Sequence, residues 1–167
     1  MLFFEELRLG DTFRTAEITV TEAEIIAFGQ RFDPQPFHTD GEAAKATLFG
    51  RLVASGWHTA ALSMGLMVRG EMRLDGGVIG QGVDGLRWPR PVFPGDRLRV
   101  VMEVVEINPE PSRTGRGKIK LHCRTLNQDG KAVQEMTANL LVARRPASAE
   151  PSSVAKPKED KTDGRPT

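Results

Sequence analysis

Asp33 and His38 bracket a short segment, Asp33-Pro34-Gln35-Pro36-Phe37-His38, that puts a carboxylate, an amide and an imidazole on one stretch of chain with two prolines in it. A carboxylate and an imidazole together can move two protons near neutral pH. The prolines reduce the freedom of the segment, which helps to hold two polar side chains at a fixed separation. Loops between helices are also where catalytic groups concentrate. Taken alone, the segment has a plainer reading, with Asp33 capping a turn and His38 as a solvated loop residue. A second segment, Leu52-Val53-Ala54-Ser55-Gly56-Trp57-His58, offers a different capability. Ser55 suits the N-cap of a helix. Gly56 then presents its N–H at the positive end of that helix, where a developing negative oxygen is stabilised. The plainer reading here is an ordinary helix start with glycine for close packing. An acid, an imidazole and a helix-start amide on adjoining segments form the strongest chemical signal in the chain, with Gln35 and Ser55 as supporting polar groups.

The other candidates are weaker. His58 falls within the helix that follows Ser55 and reads as a structural, hydrogen-bonding residue. His122 alternates onto the polar side of a strand and reads as inert. No H-x-x-x-H or H-E-x-x-H pairing is present, and Cys123 is the only cysteine, so neither a metal site nor a disulfide is expected. No cofactor is called for. Gly80-Gln81-Gly82-Val83-Asp84-Gly85 spells a G-x-G-x-x-G string, but the dinucleotide fingerprint must leave a strand and open a helix. This string lies inside a strand pattern. Its glycines fit a strand closely approached by a helix, a subunit or a ligand.

Several elements must position these groups. Thr21-x-x-Glu24 is a capping box with Val20 and Ile25 as its hydrophobic staple, so a helix opens at Thr21. It ends near Phe32, because Asp33 precedes Pro34 and is pushed out of the helical region. Asp33 to His38 is expected as a loop, and Gly41–Thr47 as a short helix. The stretch from Gly56 to about Gly70 is expected as a helix, apolar over most of its circumference and therefore wrapped by other structure. Thr12–Val20, Gly77–Trp88, Arg97–Ile107, Lys118–Leu126 and Ala132–Ala143 read as strands. Leu98, Val100, Met102 and Val104 share one face, and Ile119, Leu121 and Cys123 alternate with Lys120, His122 and Arg124. Such regular alternation indicates antiparallel strands with one packed face. Pro94-Gly95-Asp96 marks a turn. The order of elements predicts an α+β fold, an antiparallel sheet wrapped around one central helix.

The chain has 167 residues, which suits one domain, and its 39% apolar content supports a packed core. Residues 146–167 are rich in proline and charge with almost no large apolar side chain, so they are expected as a disordered tail after a domain spanning 1–145. No apolar run approaches the ~18–20 residues of a membrane helix, and the N-terminus does not read as a signal peptide, which makes a cytoplasmic location the expectation. A formal net charge of +1 argues against nucleic acid or an anionic membrane as partner. It leaves room for a small anionic ligand held by a few placed cations.

The segment Asp33 to His38, followed by Gly56, resembles the hydratase motif of MaoC-like dehydratases, which include (R)-specific enoyl-CoA hydratases. Leu86-Arg87-Trp88-Pro89-Arg90-Pro91-Val92-Phe93-Pro94-Gly95-Asp96 is similar to that family as well, and the likeness runs over about residues 5–145. The resemblance implies a hot-dog fold, a homodimer or dimer of dimers, and an acyl-CoA thioester as substrate. It also implies Asp33 and His38 as the catalytic pair and Gly56 as the glycine whose N–H holds the thioester oxygen. The reaction would be reversible addition of water to a trans-2-enoyl thioester, giving an (R)-3-hydroxyacyl product. Two departures stand out: Gln35 replaces the family's usual asparagine, and a serine that supports the pair in some members falls at Met64, beside Ser63. An acyl-CoA thioesterase and a non-catalytic acyl-CoA-binding subunit are the alternative uses of such a fold; His38 argues against the first and the Asp33–His38 pair against the second. Arg87 and Arg90 are conceivable contacts for coenzyme A phosphates, although strand-end arginines are more often simply solvated.

Overall fold

Alternation at period two in the second half of the chain produces the sheet that carries everything else. In a computed structural model, which describes residues 1–110 and 112–146, four long strands are β3 (Ile79–Arg87), β4 (Arg97–Asn108), β5 (Gly117–Leu126) and β6 (Ala132–Val142). Two short strands, β1 (Thr12–Arg14) and β2 (Ile18–Thr19), precede them. The sheet is antiparallel, in the order β1-β4-β5-β6-β3, with β2 also paired to β4. The expected tail at 146–167 falls, from residue 147 on, outside the described residues.

The alternation translates directly into burial. Leu98, Val100, Met102 and Val104 of β4 are completely buried, and Ile119, Leu121 and Cys123 of β5 line the same face. Of the helices α1 (Glu22–Phe32), α2 (Pro36–Thr39), α3 (Gly41–Ala44) and α4 (Gly56–Arg69), α4 lies on that face and contributes Leu66 and Met67 to the same core. The fold is therefore α+β, with an antiparallel sheet packed on one helix, as expected.

One expectation is corrected and two are narrowed. The strand Thr12–Val20 is broken in two. The N–H of Val100 donates to the Thr15 side-chain hydroxyl at 2.9 Å, so a side chain takes the place of a main-chain carbonyl and interrupts the ladder. The helix α4 is not wrapped on all sides by its own chain, since Trp57, Met64 and Val68 are exposed. Its buried residues are His58, Thr59, Ser63, Leu66 and Met67. The glycines of the G-x-G-x-x-G string do lie within strand β3, and among the described residues nothing lies within 4 Å of a Cβ placed at Gly80, Gly82 or Gly85, which removes a helix of this chain from the expected close approaches. Gly85 is needed for its backbone, with φ at +62°, where β3 and β6 slip register between Asp84 and Arg87. Among the described residues strand β3 pairs with β6 alone, and it is mostly exposed. Among the described residues no helix is long and apolar enough to cross a membrane.

Candidate active site

Helix α1 (Glu22–Phe32) begins as its capping box predicts: the Thr21 hydroxyl accepts the Glu24 N–H, and the Glu24 carboxylate accepts the Thr21 N–H. It stops where Pro34 requires. Asp33 leaves the helical region with φ −149° and ψ 69°, while its N–H still donates to the Gly29 carbonyl at 2.9 Å. The segment beyond Asp33 is not the expected loop. Pro36–Thr39 form a single helical turn, α2, with Pro36 at its first position. A proline there loses nothing, because that N–H has no partner within the helix, and its φ already suits the turn.

Helix α2 carries His38 inward. The residue is only 6% exposed, which removes the solvated-loop reading. Two neighbours fix it. On one side, α1 passes so close that a Cβ on Gly29 would lie 2.6 Å from the His38 carbonyl oxygen. On the other, His38 Nδ1 lies 2.7 Å from the Val53 carbonyl, and the Val53 N–H donates to the Phe37 carbonyl at 3.0 Å. A carbonyl can only accept, so the proton of the neutral imidazole sits on Nδ1 and the lone pair on Nε2.

That lone pair faces Asp33, with Nε2 3.3 Å from Oδ2. Ser55 Oγ donates to the same Oδ2 at 2.7 Å, and Gln35 Nε2 donates to Oδ1 at 2.8 Å. Burial pushes the Asp33 carboxyl upward. The hydrogen bonds from Ser55 and Gln35 and the adjacent His38 outweigh it, leaving the group below its ordinary value. The carboxylate is therefore ionised at neutral pH, with Nε2 of His38 beside it. With the imidazole neutral, a water donating one hydrogen to each would satisfy both.

Ser55 is also the N-cap of α4, its Oγ accepting the Trp57 N–H at 3.2 Å. Gly56 is the first residue of that helix, and among the described residues its N–H meets no acceptor. Gly56 and His38 line one cavity of about 260 Å³, together with Phe37, Phe49, Thr59 and Trp88. The plainer reading of Gly56 holds alongside the chemical one, because a Cβ there would come within 2.6 Å of the Trp88 ring. Trp88 is held by its Nε1–H donating to Gln134 Oε1 at 2.8 Å.

The five residues singled out by sequence, Asp33, Gln35, His38, Ser55 and Gly56, thus converge in space. Two supporting contacts differ from expectation. Met64 is exposed and Ser63 bonds to the Thr59 carbonyl and the Thr125 hydroxyl, so neither takes part in the pair's hydrogen bonds. Ser55 supplies a hydroxyl to Asp33 instead. His58 is not held by hydrogen bonding at Nδ1, which is buried without a partner. It stacks on Phe28 at 4.8 Å, and burial holds its pKa below the ordinary value against a smaller opposing pull from Glu24. Gly29, Val53 and Trp88 were not identified from the sequence as part of the site. Arg87 is paired with Glu135 across β3 and β6. Among the described residues no cluster of three or more His, Cys, Asp or Glu side chains is placed to hold a metal ion.

The sequence model of the MaoC like domain matches residues 5–123. The uncharacterized protein YdeM of Bacillus subtilis (strain 168) is 30% identical over 140 residues, covering 84% of this chain and 98% of YdeM. A MaoC-like dehydratase from Rhodospirillum rubrum superposes with a TM-score of 0.83 at 49% identity, covering 88% of this chain and all of that one. The (R)-hydratase PhaJ1 from Pseudomonas aeruginosa, in its unliganded form, gives a TM-score of 0.69 at 26% identity, covering 92% and 96%.

Proposed function

The chain belongs to the MaoC-like dehydratase family, and on that premise we propose that it is a hydratase, adding water reversibly to a trans-2-enoyl-CoA thioester to give the (R)-3-hydroxyacyl-CoA. The observation that carries this reading is the placement of His38 Nε2 3.3 Å from Asp33 Oδ2, with Nδ1 committed to the Val53 carbonyl, in the cavity that Gly56 also lines.

In the proposed reaction a water sits between Asp33 and His38, donating to both. Its oxygen bonds to C3 of the enoyl group while one of its protons passes to the pair. The C2–C3 π electrons move toward the thioester carbonyl, and the Gly56 N–H, at the positive end of α4, stabilises the enolate-like oxygen. The pair then delivers a proton to C2, so one water is consumed and no group leaves. General acid–base assistance of this kind contributes roughly 10²–10⁴-fold. Asp33, held ionised by Ser55 and Gln35, suits the role of base toward water. No cofactor takes part in this scheme. Exposure of β3 and of Trp57, Met64 and Val68 supports assembly as a homodimer or dimer of dimers, which light scattering at micromolar concentration tests directly: a monomer would contradict it.

Crotonyl-CoA is the test substrate. Hydration removes the enoyl absorbance without releasing a thiol, and chiral analysis should give mainly the (R) product. Release of free CoA would favour a thioesterase. Neither change would leave a binding subunit and sink the proposal.

A further inference from the structure

The segment that follows β3 is fastened to β6 by side chains. Arg87 pairs with Glu135, Trp88 Nε1–H donates to Gln134 Oε1 at 2.8 Å, and Arg90 donates to the Ala132 carbonyl at 2.8 Å. Trp57 of α4 adds an edge-on contact to the Trp88 ring, with centroids 5.4 Å apart. The ring so held lies against Gly56, where a Cβ would meet its Cδ2 atom at 2.6 Å, Cε2 at 2.7 Å and Cε3 at 2.8 Å. Gln134 is only 1% exposed. A tryptophan N–H can only donate, so the amide is oriented with its oxygen toward the ring. Its Nε2 meets no acceptor among the described residues, a cost that an apolar side chain of similar size would not carry. Packing alone does not account for a glutamine here, whereas holding Trp88 does.

His38, Gly56 and Trp88 line one cavity of about 260 Å³, below the ~300–1,000 Å³ usual for small-molecule sites. With the thioester oxygen on the Gly56 N–H, C2 of the enoyl group is one bond from the carbonyl carbon and lies beside the Trp88 ring. The Asp33–His38 pair, which must protonate C2, occupies the other side. A hydrogen on C2 fits there. A methyl group would have to displace a ring fastened through Gln134 and Trp57, and close-packed walls yield only with strain. We propose that Trp88, positioned by Gln134, makes the site selective for enoyl thioesters unbranched at C2 and excludes 2-alkyl-2-enoyl thioesters. This rests on the hydratase reading for where the thioester sits and adds to it the substitution pattern of the acyl group.

The probes are crotonyl-CoA and tigloyl-CoA, which differ only by a methyl group at C2. Their kcat/KM values are measured with the full-length protein and with Trp88→Ala and Gln134→Leu. In parallel, butyryl-CoA and 2-methylbutyryl-CoA, which have no double bond to hydrate, are titrated calorimetrically. The methyl group also slows hydration intrinsically, so the readout is the change in the ratio between proteins. The preference for crotonyl-CoA should fall roughly 10–200-fold in Trp88→Ala, the range that one small apolar group spans in a hydrophobic pocket. It should fall by a smaller factor in Gln134→Leu, where the ring remains but loses its hydrogen bond. The affinity ratio of the saturated pair should fall in the same order. Each ratio is taken within one preparation, so partial loss of folded protein does not mimic the effect, and a merely structural role for Gln134 would slow both thioesters alike. Ratios unmoved in Trp88→Ala, or an unaltered protein that takes branched and unbranched thioesters equally, would overturn the proposal. A shift in Trp88→Ala with none in Gln134→Leu would overturn the positioning role of Gln134 and leave the wall. Should Trp88→Ala fail to fold, Gln134→Leu decides by itself, an unmoved ratio overturning the proposal. A binding preference for the unbranched thioester that is lost in Trp88→Ala, with no thioester hydrated, would leave the wall standing and remove the hydratase reading. Hydration with unmoved ratios would do the reverse.

Discussion

The Ser55 hydroxyl donates to Asp33 Oδ2 at 2.7 Å while its oxygen accepts the Trp57 N–H, so one side chain ties the carboxylate after α1 to the first turn of α4. Removing it should show in a pH profile. Ser55→Ala takes away a hydrogen bond that favours the ionised form of Asp33, so the Asp33 pKa rises and the acid limb of kcat/KM moves to higher pH. Loss of the N-cap should also lower stability by about 1 kcal/mol. A lower stability with an unmoved acid limb would reduce Ser55 to a cap.

Asp33→Asn should lose roughly 10²–10⁴-fold in kcat, the usual worth of a proton-transfer group. Its effect on stability has a definite sign. The native carboxyl lies below its ordinary value, so its contribution is complete above the unfolded-state value and disappears as pH falls through the lower folded-state value. Chemical denaturation across that acid window should therefore be flatter in Asp33→Asn. An equally steep dependence in both proteins would contradict the depressed pKa.

His38→Gln should also lose most of the activity, and its stability cost should exceed that of Asp33→Asn. His38 is buried and its Nδ1 is committed to the Val53 carbonyl, whereas 21% of the Asp33 side chain is exposed. The two melting temperatures, measured side by side, decide it. Full activity per folded molecule in either variant would dissolve the proposed pair.

The Gly56 amide can be deleted by proline, which the first helical position tolerates. Alanine alone is not a clean control, because a Cβ at Gly56 meets the Trp88 ring at 2.6 Å. The comparison belongs in a Trp88→Ala background, where Gly56→Pro and Gly56→Ala differ mainly in the N–H. The proline form should turn over roughly 10²–10³-fold more slowly. Equal rates would leave Gly56 with a packing role only.

Gly29→Ala should damage the site from a distance. The added methyl faces main-chain atoms of His38, the nearest at 2.6 Å, and backbone cannot yield as a flexible side chain would. Destabilisation of about 1–3 kcal/mol is the usual cost of such crowding. The kcat of the remaining folded protein should drop as α2 is displaced. A protein of unchanged stability and activity would show that α1 and α2 separate freely.

How legible these features were depends on how local their causes are. The start of α1 follows from Thr21 and Glu24, its end from Pro34, and the inward face of β4 from simple alternation; each is written within a few residues. The helical turn α2 was available in principle, since Pro36 stands at a first helical position, but the loop reading of a double-proline segment hid it. The burial of His38 depends on Gly29 and Val53, the support of Asp33 on Ser55, and the crowding of Gly56 on Trp88. Those are contacts between elements, and no local pattern announces them. The interruption at Thr15 likewise depends on Val100, on a strand much later in the chain.

The inward alternation of β5 places the chain's single cysteine, Cys123, in the core, where burial pushes its thiol up to about 12. At assay pH that sulfur is protonated and out of reach of a disulfide-exchange reagent, because the thiolate is the reactive form. A colour-forming thiol reagent added to a crotonyl-CoA assay should therefore report released coenzyme A without background from the enzyme itself. Adding denaturant at the end should then expose the one cysteine and count the protein in the same cuvette.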